Sequence, residues 1–234
     1  MNILILGHAG SGKSTLVKNF GEYLEKNFSV SRVNLDTATN PIYRADVDSR
    51  SFVKAEEIME NFNLGINGAL LKSVEMLKNH IPELVLKDDF VLYDTPGQLE
   101  LFLYTDFGEI FSEKLRENGV SLAIFLVDSY LCRTPENFLS AIFQSAVISL
   151  RTGLQTLTVF NKTDLEKPLP FSKLTELIEK GEGILSEMLE NLLPFYDLTS
   201  LRYRTIEISA EKFVGFDELS GAINEIQCSC GDLS

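Results

Sequence analysis

Histidine, cysteine and tryptophan are scarce here: 2, 3 and 0 residues in a chain of 234. With only His8 and His80, no histidine-based metal cluster is available. Cys132 stands alone, and Cys228 and Cys230 form a C-x-C near the C-terminus. An odd, sparse set builds no disulfide framework and points to a reducing, cytoplasmic setting. Two thiols with no Cys or His nearby also make a poor zinc site. No apolar run approaches the ~18–20 residues of a membrane helix. The opening "MNILILGHAG" turns glycine-rich too soon for a signal peptide. Basic residues are few as well: 21 Lys plus Arg against 34 Asp plus Glu, a formal net charge of −13. That argues against direct nucleic-acid binding and against an anionic membrane as partner. A small anion held locally stays possible, and any protein partner of the acidic surface would be basic.

What the chain does have is order. Short apolar runs at 2–6, 29–35, 89–94, 121–128, 156–160 and 204–209 lack strict alternation, as in strands covered on both faces. Helical spacing separates them, at about 13–28, 54–62, 68–80, 98–118, 136–151, 172–192 and 215–227. This alternation predicts an α/β fold with a mainly parallel sheet flanked by helices. The length suits a single domain over 1–234. The connection between the second and third of these strands is long and predicts a helical insert at about 40–88. The stretch 164–200, with Phe195 and Tyr196, reads as amphipathic helices forming a lid or, less simply, a docking face.

"LILGHAGSGKST" follows the first strand and opens a helix, with Gly7, Gly12, Lys13 and Ser14 matching G-x-x-x-x-G-K-[ST]. Small residues let backbone N–H groups converge on phosphate oxygens, and the helix N-terminus favours negative charge. Gly10, Ser11, Gly12, Lys13, Ser14 and Thr15 form the candidate cradle. Lys13 would neutralise β- and γ-phosphate charge, and Ser14 would offer a hard oxygen to Mg²⁺. This loop names neither base nor reaction, since kinases, ATPases and GTPases all use it.

"FNKTDL" follows the fifth predicted strand, at the carboxyl end of the sheet where a base would lie. The Asp164 carboxylate can accept from both the ring N–H and the exocyclic amine of guanine, a pair adenine lacks. Lys162 would lie along the base, and Asn161 would tie the loop back to the phosphate loop. Ser209 and Ala210, in "ISAEKF", match a turn whose amide can meet guanine O6, a short motif given weight by its order in the chain.

"LYDTPGQLELF" ends the third predicted strand. Asp94 is placed to hold Mg²⁺, Gly97 to give its N–H to the γ-phosphate, and Gln98 to orient the attacking water. Glu100 either assists through that water or begins a helix. Asp36, closing "VNLD", either touches the cation or the water or caps a turn. Asp48 and Arg50 read equally as neighbours of the site or as a solvated turn.

Together the strings "GHAGSGKST", "VNLD", "DSRSFV", "GINGAL", "DTPGQLELF", "NKTDL", "SA" and "CSCGDLS" resemble the GPN-loop GTPase family across nearly the whole chain. The resemblance implies a P-loop NTPase fold with the insert between strands 2 and 3, and Mg²⁺-dependent hydrolysis of GTP to GDP and phosphate. It also implies a homodimer in which the Gly-Pro-Asn loop of each subunit reaches the other's γ-phosphate. Here that loop is Gly65-Ile66-Asn67, with isoleucine in the proline position. Proline would stiffen the loop; isoleucine leaves a free N–H. Asn67 then presents amide donors in trans, or simply caps a helix beginning near Gly68. The competing readings are a GTP-dependent assembly module with negligible turnover and a small-acceptor kinase. The N-K-T-D string and the few arginines speak against the kinase.

Overall fold

The structure, a computed structural model, describes residues 1–181, 186–191 and 206–231. Among the described residues, seven strands form one sheet: β1 (Asn2–Leu6), β2 (Val30–Asn34), β3 (Val47–Asp48), β4 (Phe90–Asp94), β5 (Ser121–Asp128), β6 (Gln155–Asn161) and β7 (Ile206–Glu207). Every pairing is parallel, and the spatial order is β3-β2-β4-β1-β5-β6-β7.

The apolar runs form strands because both faces of the sheet are covered. Ile3 and Ile5 of β1 enter one buried cluster, while Leu4 and Leu6 enter the other. β4 divides in the same way, Phe90 and Leu92 against Val91 and Tyr93. Helix α1 (Lys13–Leu24) and the last helix, α9 (Phe216–Gly231), cover the first face through residues such as Leu16, Phe20, Leu219 and Ile223. The second face carries α2 (Ala55–Phe62), α3 (Ile66–Leu77), α4 (Ile81–Leu84), α5 (Leu99–Leu103), α6 (Asp106–Asn118), α7 (Pro135–Thr152) and α8 (Phe171–Glu179). Each fully buried Leu, Ile or Phe stabilises the fold by about 1.5–3 kcal/mol. A carboxylate such as Asp94, 3% exposed at a strand end, is therefore an exception that calls for a function.

Parallel strands place their carboxyl ends along one edge. Asn34 and Ile5 both pair with Asp94, Leu6 with Phe125, and Asp128 with Asn161. The phosphate loop, the D-T-P-G turn and the N-K-T-D stretch all leave the sheet at this edge.

Some boundaries differ from the sequence reading. β3 was not expected: Asp48 ends this two-residue edge strand and caps the 3-10 turn Ser49–Ser51. The helix expected over 98–118 is two, because α6 packs backbone to backbone against α5. A Cβ on Gly108 would lie 1.8 Å from the Phe102 carbonyl oxygen. The helix expected to reach residue 28 ends at Leu24, whose carbonyl accepts from the amides of Asn27 and Phe28. Helix α8 stops at Glu179, and 186–191 is again helical. Phe195, Tyr196 and the start of the strand expected at 204–209 lie outside the described residues.

Helix α3 begins at Ile66, two residues before the predicted start. Gly65 is its N-cap, extended at φ −70° and ψ 165°. Ile66 is thus the first helical residue, where the backbone N–H has no intrahelical acceptor and proline fits well. The extended Gly65 is also what a following proline requires. Ile66→Pro should therefore stabilise the protein by about 0.4–1 kcal/mol, chiefly through the unfolded chain. Urea unfolding of the two proteins measures it, and a marked loss of stability would contradict this helix start.

Candidate functional site

The phosphate loop, residues 7–13, curls through two left-handed glycines, Gly10 at φ 79° and Gly12 at φ 98°. A Cβ on Gly12 would also lie 2.4 Å from Asn161 Nδ2, so no larger residue fits. Lys13 is buried and folds back, its Nζ donating to Gly7 O at 2.8 Å and His8 O at 3.1 Å. Burial lowers its pKa, opposed by the charges of Asp94 and Asp36. Helix α1 has no acidic residue in its first turn and no side-chain cap, which leaves its positive end to an anion.

The base-side motifs converge on the same loop. Asn161 Nδ2 donates to Ser11 O at 2.8 Å, and Asn161 Oδ1 accepts from the Ala210 amide at 2.9 Å. Ser209 Oγ donates to Asp164 Oδ1 at 2.6 Å. Lys162 adopts φ 65°, and its Nζ lies 2.6 Å from Asp128 Oδ2. Gly12, Thr15, Asn161, Lys162, Asp164 and Ser209 line a cleft of about 360 Å³. A planar heterocycle entering it would meet the Asp164 carboxylate at one edge and the methylene stem of Lys162.

On the other side of the loop, Asp94 ends β4. Its Oδ2 accepts from Tyr43 Oη at 3.0 Å, the Ser14 hydroxyl lies near the same carboxylate, and buried Oδ1 makes no hydrogen bond of normal geometry. Burial pushes its pKa up to about 6, against the opposing effects of the Ser14 and Tyr43 hydroxyls and Lys13. The D-T-P-G turn abuts the phosphate loop, since a Cβ on Gly97 would sit 3.4 Å from Ala9 Cβ. Gln98 is the N-cap of α5, and Glu100 lies exposed in that helix's first turn, the position a helix dipole favours. Asp36 sits within electrostatic reach of Lys13 and Asp94. Its Oδ1 is engaged in a turn, accepting from Ala38 N at 2.9 Å and Thr39 N at 3.2 Å. Asp48 is paired with Arg50 at 3.0 Å, and Arg50 also donates to Asn40, so both serve the start of the insert. Asn67 lies inside the first turn of α3 rather than at its cap, and its Oδ1 accepts from Gln98 Nε2 at 3.4 Å.

Two residues of this constellation escaped the sequence reading. Asp128 obeys the strand-end rule that pointed to Asp36 and Asp94, and the same rule would have found it. Tyr43 lies in an irregular segment with no periodic signal.

The donor set fits a hard cation. Ser14 and Asp94 supply oxygen, and the bare Oδ1 of Asp94 lacks the partner a buried carboxylate needs. Among the described residues no group of three His, Cys, Asp or Glu could hold a metal alone. A cation held by Ser14 and Asp94 would take its remaining ligands from water or a bound anion. Without a cation, Asp94 weakens the fold. Its folded pKa of about 6 exceeds the ordinary 3.8, so the native state holds the proton more tightly. Stability from this group is greatest below about pH 4 and falls as pH rises through about 6. Asp94→Asn should raise nucleotide-free stability at pH 8 by up to about 3 kcal/mol and leave it unchanged near pH 3.5. Urea unfolding at the two pH values decides; equal effects at both would refute a strained carboxylate.

A family model described as "conserved hypothetical ATP binding protein" matches residues 5–229. The GPN-loop GTPase PAB0955 of Pyrococcus abyssi is 33% identical over the full length of both chains. Its crystal structure, described as a GTPase in apo form, superposes with a TM-score of 0.77 over 98% of each chain. GPN-loop GTPase 1 of Dictyostelium discoideum and of Saccharomyces cerevisiae are 32% and 33% identical over 70% of this chain. The chain matches under half the length of those two, 44% and 45%. The seven-stranded parallel sheet is the P-loop NTPase fold, and the chain belongs to the GPN-loop GTPase family.

Proposed function

We propose that this protein hydrolyses GTP to GDP and phosphate as a Mg²⁺-dependent, homodimeric nucleotide switch in the cytoplasm. Residues 1–234 act as one GTPase domain, and the insert at about 40–88 carries the loop 65–67. The observation that carries the reading is the hydrogen-bonded tie among phosphate loop, N-K-T-D stretch and Ser209–Ala210 turn at one cleft.

In this reading Asp164, held by Ser209, accepts from both guanine donors. Hydrogen bonds to a charged group contribute about 1.5–3 kcal/mol each, so two of them discriminate guanine from adenine by roughly 100-fold or more. Lys13 leaves the loop carbonyls and meets the β- and γ-phosphates, alongside the amides of Gly10 to Thr15. Ser14 and Asp94 hold Mg²⁺, which supplies Lewis-acid neutralisation of the developing phosphate charge. Gly97 donates its N–H to the γ-phosphate. Gln98 orients the attacking water, with Glu100 two residues further on and Asp36 near Lys13 and Asp94. Asn67 offers donors to the partner subunit's γ-phosphate, where no arginine finger is needed. Within one chain it already neighbours Gln98.

Steady-state phosphate release with Mg-GTP and Mg-ATP, across a range of protein concentrations, tests this. Turnover is expected with GTP in preference to ATP, rising per subunit as the dimer forms. GTP binding without turnover would favour a nucleotide-locked assembly module instead. Asn67→Ala should lower kcat by about 100-fold, the effect of removing one donor to transition-state charge. Sedimentation checks that the dimer survives; unchanged turnover in an intact dimer would sink the role given to Asn67.

A further inference from the structure

The two oxygens of Asp94 are treated differently. Tyr43 donates to Oδ2 at 3.0 Å, and Oδ1 is buried without a hydrogen-bond partner. Tyr43 comes from the stretch 40–46, which opens the insert between β2 and β3. That stretch is pinned to β2: the Asp46 amide donates to Arg32 O at 2.8 Å, and the Arg32 amide donates to Asp46 Oδ2 at 2.8 Å. Arg32 in turn reaches Glu25, just beyond α1, at 2.6 Å. The phenol is thus delivered to Asp94 from a segment anchored on both its neighbours.

A tyrosine suits this place for chemical reasons. A phenylalanine would fill the same space and take away the Oδ2 donor, leaving only the nearby Ser14 hydroxyl to act on the carboxylate. A serine or threonine on the same backbone would not span the gap. A phenol, with an ordinary pKa of about 10, is an O–H donor at neutral pH. A fixed donor on one oxygen restrains rotation of the carboxylate, and the other oxygen keeps a defined position. The plain alternative is packing, since the ring also touches the apolar cluster beneath α1 and α9.

We propose that Tyr43 is a positioning residue for the cation site: its hydroxyl sets the Asp94 carboxylate so that the second oxygen is ready for Mg²⁺. This rests on the GTPase reading above. It makes the start of the insert part of the cation site, through one side chain that acts on Asp94.

Full-length wild type and Tyr43→Phe separate the two roles. GDP affinity is measured in EDTA by calorimetry. The affinity of the GDP complex for Mn²⁺ is then measured by electron paramagnetic resonance. The expected result is about 10-fold weaker Mn²⁺ binding by Tyr43→Phe, with GDP affinity in EDTA unchanged. Asp46→Ala, which loosens the stretch and keeps the hydroxyl, should show a smaller shift in the same direction. Equal Mn²⁺ affinity in wild type and Tyr43→Phe would overturn the proposal. So would a parallel loss of GDP and Mn²⁺ binding, which is the mark of packing alone. A wild type that binds no guanine nucleotide would instead overturn the functional reading on which the proposal stands.

Discussion

One buried carboxamide holds the site together. Asn161 donates to the phosphate loop at Ser11 and accepts from the amide of Ala210. The main-chain carbonyl of Asn161 accepts from Ser129 Oγ at 2.6 Å, just after β5. Asn19 of α1 adds a further bond to Ala210 O at 2.8 Å. Four segments far apart in sequence therefore share one hydrogen-bond network. It exists only because Gly12 leaves room for the amide. Each such group left unmet in the interior would cost about 1–3 kcal/mol, so the network fixes the loop geometry as well as the base cleft.

The opposite flank is organised by charge. Lys13 and Asp94 are both nearly out of water, at 7% and 3% exposure, with Asp36 close by. Burial disfavours the charged form of each, and neither finds a full complement of partners in the chain. Such an arrangement is poor for stability alone. It is well suited to a ligand that brings phosphate charge and a cation together, because binding to the native state alone then adds to its stability. The cluster is better explained by what it binds than by what it does for the fold.

How much of this could be read from sequence follows from how local each signal is. The phosphate loop, the D-T-P-G turn and the N-K-T-D stretch are contiguous, and each follows an apolar run that predicts its strand. The doubly covered sheet was legible for the same reason. β3 was not, since two residues carry no period. Nor was the break between α5 and α6, which comes from a close tertiary approach at Gly108 rather than from any helix breaker. Asp128 reaches Lys162 through strand register, and Tyr43 reaches Asp94 through an irregular stretch. In both, the partner is set by the fold and not by spacing. The turn bonds of Asp36 and the Asp48–Arg50 pair likewise depend on the fold rather than on spacing.

The loop at 65–67 shows how geometry can persist when its expected residue is absent. Proline would restrain it by ring closure. Here the restraint comes from the helix itself. Asn63 takes a left-handed conformation at φ 49° and ends α2, and the Leu64 amide donates back to Met59 O at 3.1 Å. Leu64 and Ala69 pack into the same apolar cluster on either side of the Gly65 cap. Ala69 N closes the first helical bond to Gly65 O at 3.0 Å. Ile66 is thereby held in helical conformation, half-exposed, with Asn67 following on the exposed first turn. The position of Asn67 depends on α2 and α3 packing against the sheet, and a substitution in that packing would disturb the loop more than the loss of proline does.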